Sequence, residues 1–307
     1  MLAVDIRDLD WHRDNLWRTL VGKYPYGRRP RGDHPLAALD GEIEQLANFP
    51  LIMVNADWFI AVATRPPLYH AMLRLPDNAR DLERRLDVDV LDDFRRGRLA
   101  RAGFFPSGVS GQNRLVERHE ALYGAYWKSY DFKKGTQRQD LKRFPLEPDF
   151  AGNSFQHQAF VHDGGEIIFD LPNHLQGYLL VKGDDTRIDA GPIEVVSDAL
   201  KTSGTNEIVN GLSCLACHQQ GMKDFTDQIR TGAAVTGDAA RKVKRLYLDP
   251  KAMNDLLARD RARYLAALKQ AVGPFLGDVR GEQAASPVSE PIGFVARLYA
   301  LAPLSLA

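Results

Sequence analysis

Cysteine is almost missing from this chain, with two in 307 residues. That excludes a disulfide framework and a four-cysteine zinc site. Net charge is missing too, since 40 Lys and Arg balance 40 Asp and Glu. Neither nucleic acid nor an anionic membrane is therefore expected as the main partner, and any electrostatic steering must be local. No apolar run reaches the roughly 18 residues of a membrane span. The opening residues, Met1-Leu2-Ala3-Val4-Asp5, lack the regions of a secretory leader. There is no Gly-rich phosphate loop, nucleophile elbow or His-Glu-x-x-His helix, and no internal repeat. What remains is globular material, 44% apolar, long enough for one large domain or two small ones.

The two cysteines stand together in Asn210-Gly211-Leu212-Ser213-Cys214-Leu215-Ala216-Cys217-His218. Cys-x-x-Cys-His is the attachment pattern of c-type haem. Two thiols three residues apart point to one side of a first helical turn and add to the haem vinyl groups; the next residue brings its imidazole to the iron. A thioredoxin-like pair and half of a zinc site are the competing readings. The first calls for a preceding parallel strand where Val209-Asn210-Gly211 reads as a turn, and the second lacks further cysteines. The expected cofactor is one covalent haem c on Cys214 and Cys217, with His218 as the proximal ligand.

Along the chain, residues 9–22 carry apolar side chains at helical spacing, and a second helix from Pro35 has Leu36, Leu39, Ile43 and Leu46 on its inner face. Residues 51–63 are nearly continuous apolar, with Trp58 and Phe59 expected in the core. A helix follows Pro66-Pro67, and residues 78–94 form another with Leu82, Leu86, Val90 and Phe94 inward. The texture then changes. Residues 114–119 and 124–130 read as paired strands, and 166–171 and 175–181 as a second hairpin around Pro172-Asn173-His174. Residues 238–248 and 250–272 are helices, the latter burying Met253, Leu257, Tyr264 and Leu268. The expected fold is mainly α with β-hairpin insertions (α+β), a c-type haem domain with a large N-terminal extension. Its parts are helical residues 1–96, a β-containing middle at 97–205, and the haem turn with C-terminal helices at 206–307, integrated into one domain.

The run from His162 to Tyr178, with its Asp-Gly-Gly-Glu-Ile-Ile-Phe-Asp-Leu-Pro-Asn-His core, and the Asn210-Gly211-Leu212-Ser213-Cys214 segment carry a family resemblance. So do residues 114–132 and 57–70. In these stretches the chain resembles monohaem c-type cytochrome domains of larger exported bacterial proteins, such as those of planctomycetes. The resemblance covers most of residues 10–270. It departs from small cytochromes c, whose haem motif lies near the start of a much shorter chain. It implies haem attachment and export, hence a periplasmic or otherwise exported location and further domains of the same polypeptide. Because covalent attachment in bacteria takes place outside the cytoplasmic membrane, a leader or anchor is expected to be cut away here; the apolar stretch from Phe294 to Ala307 also looks clipped.

The sixth iron ligand separates electron carriers from ligand binders and catalysts. Met222, four residues past His218, is read as packing, because an i+4 residue shares the proximal helix face. Met253, His162 and His119 are the distal candidates, each weighed against plain core or surface duty. His174 and His157 do not rise above background. Electron transfer to a redox partner protein is the leading function, with the basic run Arg241, Lys242, Lys244 and Arg245 as a possible steering patch against its reading as a solvated helix face. The alternative is an open site that binds small ligands, as in gas sensing, or activates peroxide, using His162 or His119 with Arg114 or Arg118. A structural or sensing haem within a larger assembly is a third reading. Glu166, Asp184, Asp185 and Asp189 could bind calcium, although acidic turns are common.

Overall fold

The computed structural model describes residues 5–13, 15–25, 37–48, 54–107, 111–135, 137–146, 148–276 and 288–301. It is mixed, 39% helical and 18% strand, and an antiparallel five-stranded sheet stands at its centre. The strands are β1 (Ala100–Phe104), β2 (Arg114–Ala121), β3 (Gly124–Asp131), β4 (Gly164–Asp170) and β5 (Gln176–Lys182), in that order across the sheet. Two separate hairpins were expected; β3 pairs with β4 through Tyr126↔Phe169 and Trp127↔Ile168, which joins them into one meander. The addition of β1 completes it, with Ala102 opposite Val116. β1 is a short Ala/Arg/Gly stretch that lacks the β-branched signature of a strand.

Before the sheet lie α1 (Leu16–Lys23), α2 (Ala37–Ala47), α3 (Ala56–Ala63), α4 (Leu68–Met72), α5 (Ala79–Arg85) and α6 (Val90–Arg96). The helix expected over 78–94 is broken in two. Asp87 is left-handed at φ 57°, and the Asp89 side chain accepts the Asp92 N–H to start α6 afresh. The inward residues survive that break: Leu82, Leu86, Val90 and Phe94 are all buried. The face expected inward on α2 is not buried; Leu39 and Leu46 are 51% and 88% exposed, because no described element packs there. Leu36 and the start of that helix lie outside the described residues.

After the sheet, β6 (Ala190–Gly191) pairs with β7 (Ile208–Val209), leading into α7 (Leu212–Cys217), then α8 (Gly237–Leu246), α9 (Pro250–Leu276) and α10 (Ile292–Leu301). No described helix is long and apolar enough to cross a membrane.

Because side chains alternate along a strand, the register sorts the sheet into two faces. One carries Phe104, Arg114, Val116, Arg118, Trp127, Glu166 and Leu180. There α9 docks, its Asp260 accepting from Arg118 Nε at 2.7 Å and from the Trp127 indole at 3.1 Å. The other face carries Arg101, Glu117, His119, Tyr126, Lys128 and Tyr130. It is covered by α5 and α6, with the Tyr126 hydroxyl donating to Glu83 at 2.8 Å. Every residue of β3 after Gly124 is buried, as a central strand between two packed layers requires.

Candidate haem-attachment cleft

The cysteine motif is fixed by its lead-in. Gly211 has φ 84°, and a Cβ there would lie 2.6 Å from the Thr64 carbonyl and 2.7 Å from the Tyr69 ring, so only glycine fits. Asn210, fully buried, donates through Nδ2 to His70 Nε2 at 2.8 Å. Burial, with Arg187 nearby, holds the His70 pKa down at about 4, so the ring is neutral and can accept. Ser213 Oγ donates to Asp198 and accepts from the Val209 N–H, tying the first turn of α7 to the β6–β7 connection.

From this turn Cys214, Cys217 and His218 all reach one cleft, together with Met222. The cleft holds about 1140 Å³ of atom-free space, part of it continuous with solvent. Its walls are largely apolar, with Val116, Leu180, Val195, Val196, Ile208 and Phe225 among them; Arg114, Lys182 and Lys223 add positive charge, and Asp131, Asp163, Glu166 and Asp224 add negative charge. Phe225 stacks on Phe104 at 5.3 Å and meets Trp127 edge-on at 6.1 Å.

The imidazole is held in one orientation. His218 Nδ1 lies 3.2 Å from the Gly221 carbonyl, the arrangement that leaves Nε2 free to face a metal. Nε2 faces Glu166, whose Oε2 is 3.6 Å away. Burial pushes the Glu166 carboxyl up, but the charge and hydrogen bond of His218, with help from Cys214 and Arg114, outweigh it and hold it at about 2. Glu166 is itself positioned through its backbone: its N–H donates to Ser129 Oγ at 2.8 Å, Ser129 donates to Asp131 at 3.1 Å, and Asp131 accepts from Arg114 Nε at 2.5 Å.

Both thiols are raised by burial, Cys214 further by the neighbouring Glu166. A thioredoxin-type pair needs a lowered thiol, so this environment speaks against disulfide exchange. Among the described residues no group of three or more His, Cys, Asp and Glu is arranged to hold a metal ion by itself. Two thiols, an oriented imidazole and apolar walls nonetheless match three of the things haem c presents: vinyl groups, iron and an apolar ring.

The three distal candidates lie elsewhere. His119 is on the opposite face of the sheet, its Nδ1 2.8 Å from Asp93 and its Nε2 3.2 Å from Glu117. His162 packs its ring on Tyr130, 4.9 Å away, on that same side. Burial, with Lys128 nearby, lowers its pKa to about 4. Met253 is buried in the apolar core with Leu257 and is not among the cleft's lining residues. Of the arginines proposed beside them, Arg114 reaches the cleft and Arg118 is held by Asp260. Met222 does reach it. A continuing helix would set Met222 on the proximal face, but α7 stops at Cys217 and the chain turns at Gly221 before Met222, which is buried in the apolar core. The calcium candidates are dispersed: Asp185 pairs with Lys128, Asp184 caps the turn at Thr186, and Glu166 faces His218. In the basic run, Lys242 and Arg245 donate to backbone carbonyls at the end of α6 and Arg241 pairs with Asp238, which leaves a reduced steering patch.

Glu166 is the residue that sequence reasoning missed as a cleft group. Its signal was parity, since strand pairing places it on the face of Val116 and Arg114. A scan against protein-family models, and searches of curated proteins and of solved structures, found no match to this chain.

Proposed function

We propose that this chain is an exported monohaem c-type cytochrome, with haem joined through Cys214 and Cys217 and iron bound by His218. The observation that carries this is the convergence of those three side chains on one apolar-walled cleft. When bound, haem supplies a one-electron couple and a metal site for small ligands. The chain's own part is to orient and to exclude. The Gly221 carbonyl fixes the His218 tautomer and raises the basicity of Nε2. The valine, isoleucine and phenylalanine walls keep water off one side of the cleft.

The cleft's lining favours an open sixth position, and so a protein that binds or activates a small molecule. A carboxylate, not a second imidazole, faces His218 Nε2. A second reading is electron transfer through a six-coordinate iron, favoured by the Met222 sulfur-bearing side chain in the cleft wall. The optical spectrum decides. The protein is expressed with c-haem maturation machinery and recorded oxidised, reduced, and reduced under carbon monoxide. A high-spin spectrum that shifts at once with carbon monoxide is the expected result. A sharp low-spin spectrum that ignores carbon monoxide, with the weak far-red band of methionine ligation, establishes the electron-transfer reading instead. Absence of covalent haem overturns both.

A further inference from the structure

The face of the sheet under α5 and α6 carries a second cavity, with about 2140 Å³ of atom-free space, part of it continuous with solvent. Lys128 and Tyr130 of β3 line it from the sheet, with Glu83 of α5, Asp185 of the turn after β5, and the loop residues Phe150 and His162 around them. Lys128 Nζ lies 2.9 Å from one Asp185 oxygen and 3.4 Å from Glu83, and Arg80 Nε lies 3.6 Å from the other Asp185 oxygen. Two cations thus meet two carboxylates. The outer lining charges are matched as well. Asp89 caps α6, Glu120 pairs with Arg118 and Arg259, and Asp149 stands 3.8 Å from Arg138. Arg84 pairs with Asp81, and Arg98 with Asp92 and Asp93. That leaves Asp87, which is exposed to solvent.

A lining balanced in this way favours neither sign of charge. A ligand cation would crowd Lys128, whose ammonium together with burial already keeps His162 neutral. A ligand anion would meet Glu83 and Asp185. Hydrogen-bonding capacity nevertheless remains, because an ammonium has three donors and a carboxylate about four lone-pair sites. Lys128, Glu83 and Asp185 use two each at most. His162 adds an imidazole whose buried Nε2 has no hydrogen-bond partner, and Phe150 adds a partly buried aromatic ring.

We propose that this cavity binds a neutral sugar, with its hydroxyls bonded by Glu83, Asp185 and Lys128 and a C–H face laid on Phe150. Such a ligand brings many groups that both donate and accept, an apolar ring face and no charge, which is what the lining can use. The cavity lies across the sheet from the cysteines, so the inference does not rest on the haem reading.

The test is calorimetric titration of the whole purified chain with D-glucose, D-galactose and D-mannose, each beside its 2-amino and uronic-acid counterparts. A pH of about 6 keeps the amino sugars and uronic acids charged. Expected is a dissociation constant of roughly millimolar for at least one neutral sugar, as about a dozen heavy atoms at modest efficiency give. Its two charged counterparts bind at least about tenfold more weakly. Phe150→Ala removes the ring, and Leu91→Trp fills the cavity from a lining position that is 39% exposed. Each weakens binding at least about fivefold. No heat from any of the three neutral sugars at roughly ten times the expected constant overturns the proposal. A charged counterpart that binds as tightly as its neutral sugar also overturns it. So does binding that both variants leave within about twofold of wild type, because the site then lies elsewhere. If Phe150→Ala does not fold, Leu91→Trp decides alone by the same thresholds.

Discussion

Two sets of buried charge, one on each face of the five-stranded sheet, are closed to different degrees. On the face under α5 and α6 one set is closed on itself, although Glu83, Asp93, Lys128 and His162 on that side line the second cavity. Arg101 and Glu117 are both fully buried and joined at 2.6 Å, the Tyr130 hydroxyl donates to the same carboxylate at 2.6 Å, and His119 sits between Glu117 and Asp93. On the face under α7 the charges border open space: Glu166 and Arg114 line the cleft with the cysteines. The fully buried Arg101–Glu117 pair faces no cavity and serves the fold. An open set keeps capacity for something that arrives. Polar burial alone therefore does not mark a site; burial beside a cavity does.

The largest effect that separates the faces is loss of both thiols. On the proposed haem reading, Cys214→Ala with Cys217→Ala is expected to remove covalently retained haem completely, seen as no haem stain after denaturing electrophoresis, and to leave the opposite face untouched. The reverse experiment is Glu117→Gln. Leaving Arg101 buried without its carboxylate costs about 3–5 kcal/mol, measured as a lowered urea midpoint, while haem per folded chain stays at the wild-type level. A variant of one face that produced the other's loss would break the contrast.

Much of the frame was legible. Residues 114–119 and 124–130 pair as their alternation indicates, and the core positions of residues 78–94 fall where helical spacing puts them. The cysteine turn was marked by Gly211, whose φ and close contacts admit nothing larger. The site's far side was not legible, because it depends on which face α7 docks against, a tertiary choice that no local pattern states. Parity along β2 does separate His119 from Arg114 and Val116, but it cannot say which of the two sets meets the cysteines. Met222 lies beyond the end of α7 at Cys217, so helical spacing alone does not say which side of the cleft it meets.

Acidity sharpens the comparison further. Burial opposes a charge on His119, yet its hydrogen bonds to Asp93 and Glu117 outweigh this and raise its pKa from 6.5 to about 9. The folded state thus binds this proton more tightly than the unfolded chain. The stabilisation is fully present below pH of about 6.5 and disappears as pH rises through about 9, a loss of about 3 kcal/mol. Urea unfolding at neutral pH and near pH 10 measures it. His119→Gln flattens that difference while leaving the haem spectrum unchanged; an equal slope in wild type and variant refutes the closed-set account.

The smallest effect belongs to the turn that leads into α7. Gly211→Ala forces a Cβ into a left-handed backbone position and against the Thr64 carbonyl and Tyr69 ring. Strain of this kind costs about 1–3 kcal/mol, and it is local to the turn that aims Cys214. Tyr69 also accepts the Tyr178 N–H from the edge strand β5 at 2.9 Å, so a shifted ring loosens the cleft wall as well as the turn. The expected result is reduced haem loading per chain, read from the reduced pyridine complex, with a urea midpoint lowered less than by Glu117→Gln. If loading is unchanged and only the midpoint falls, the glycine serves the fold alone. The cysteine turn would then tolerate displacement, against the close fit that sets it beneath the sheet.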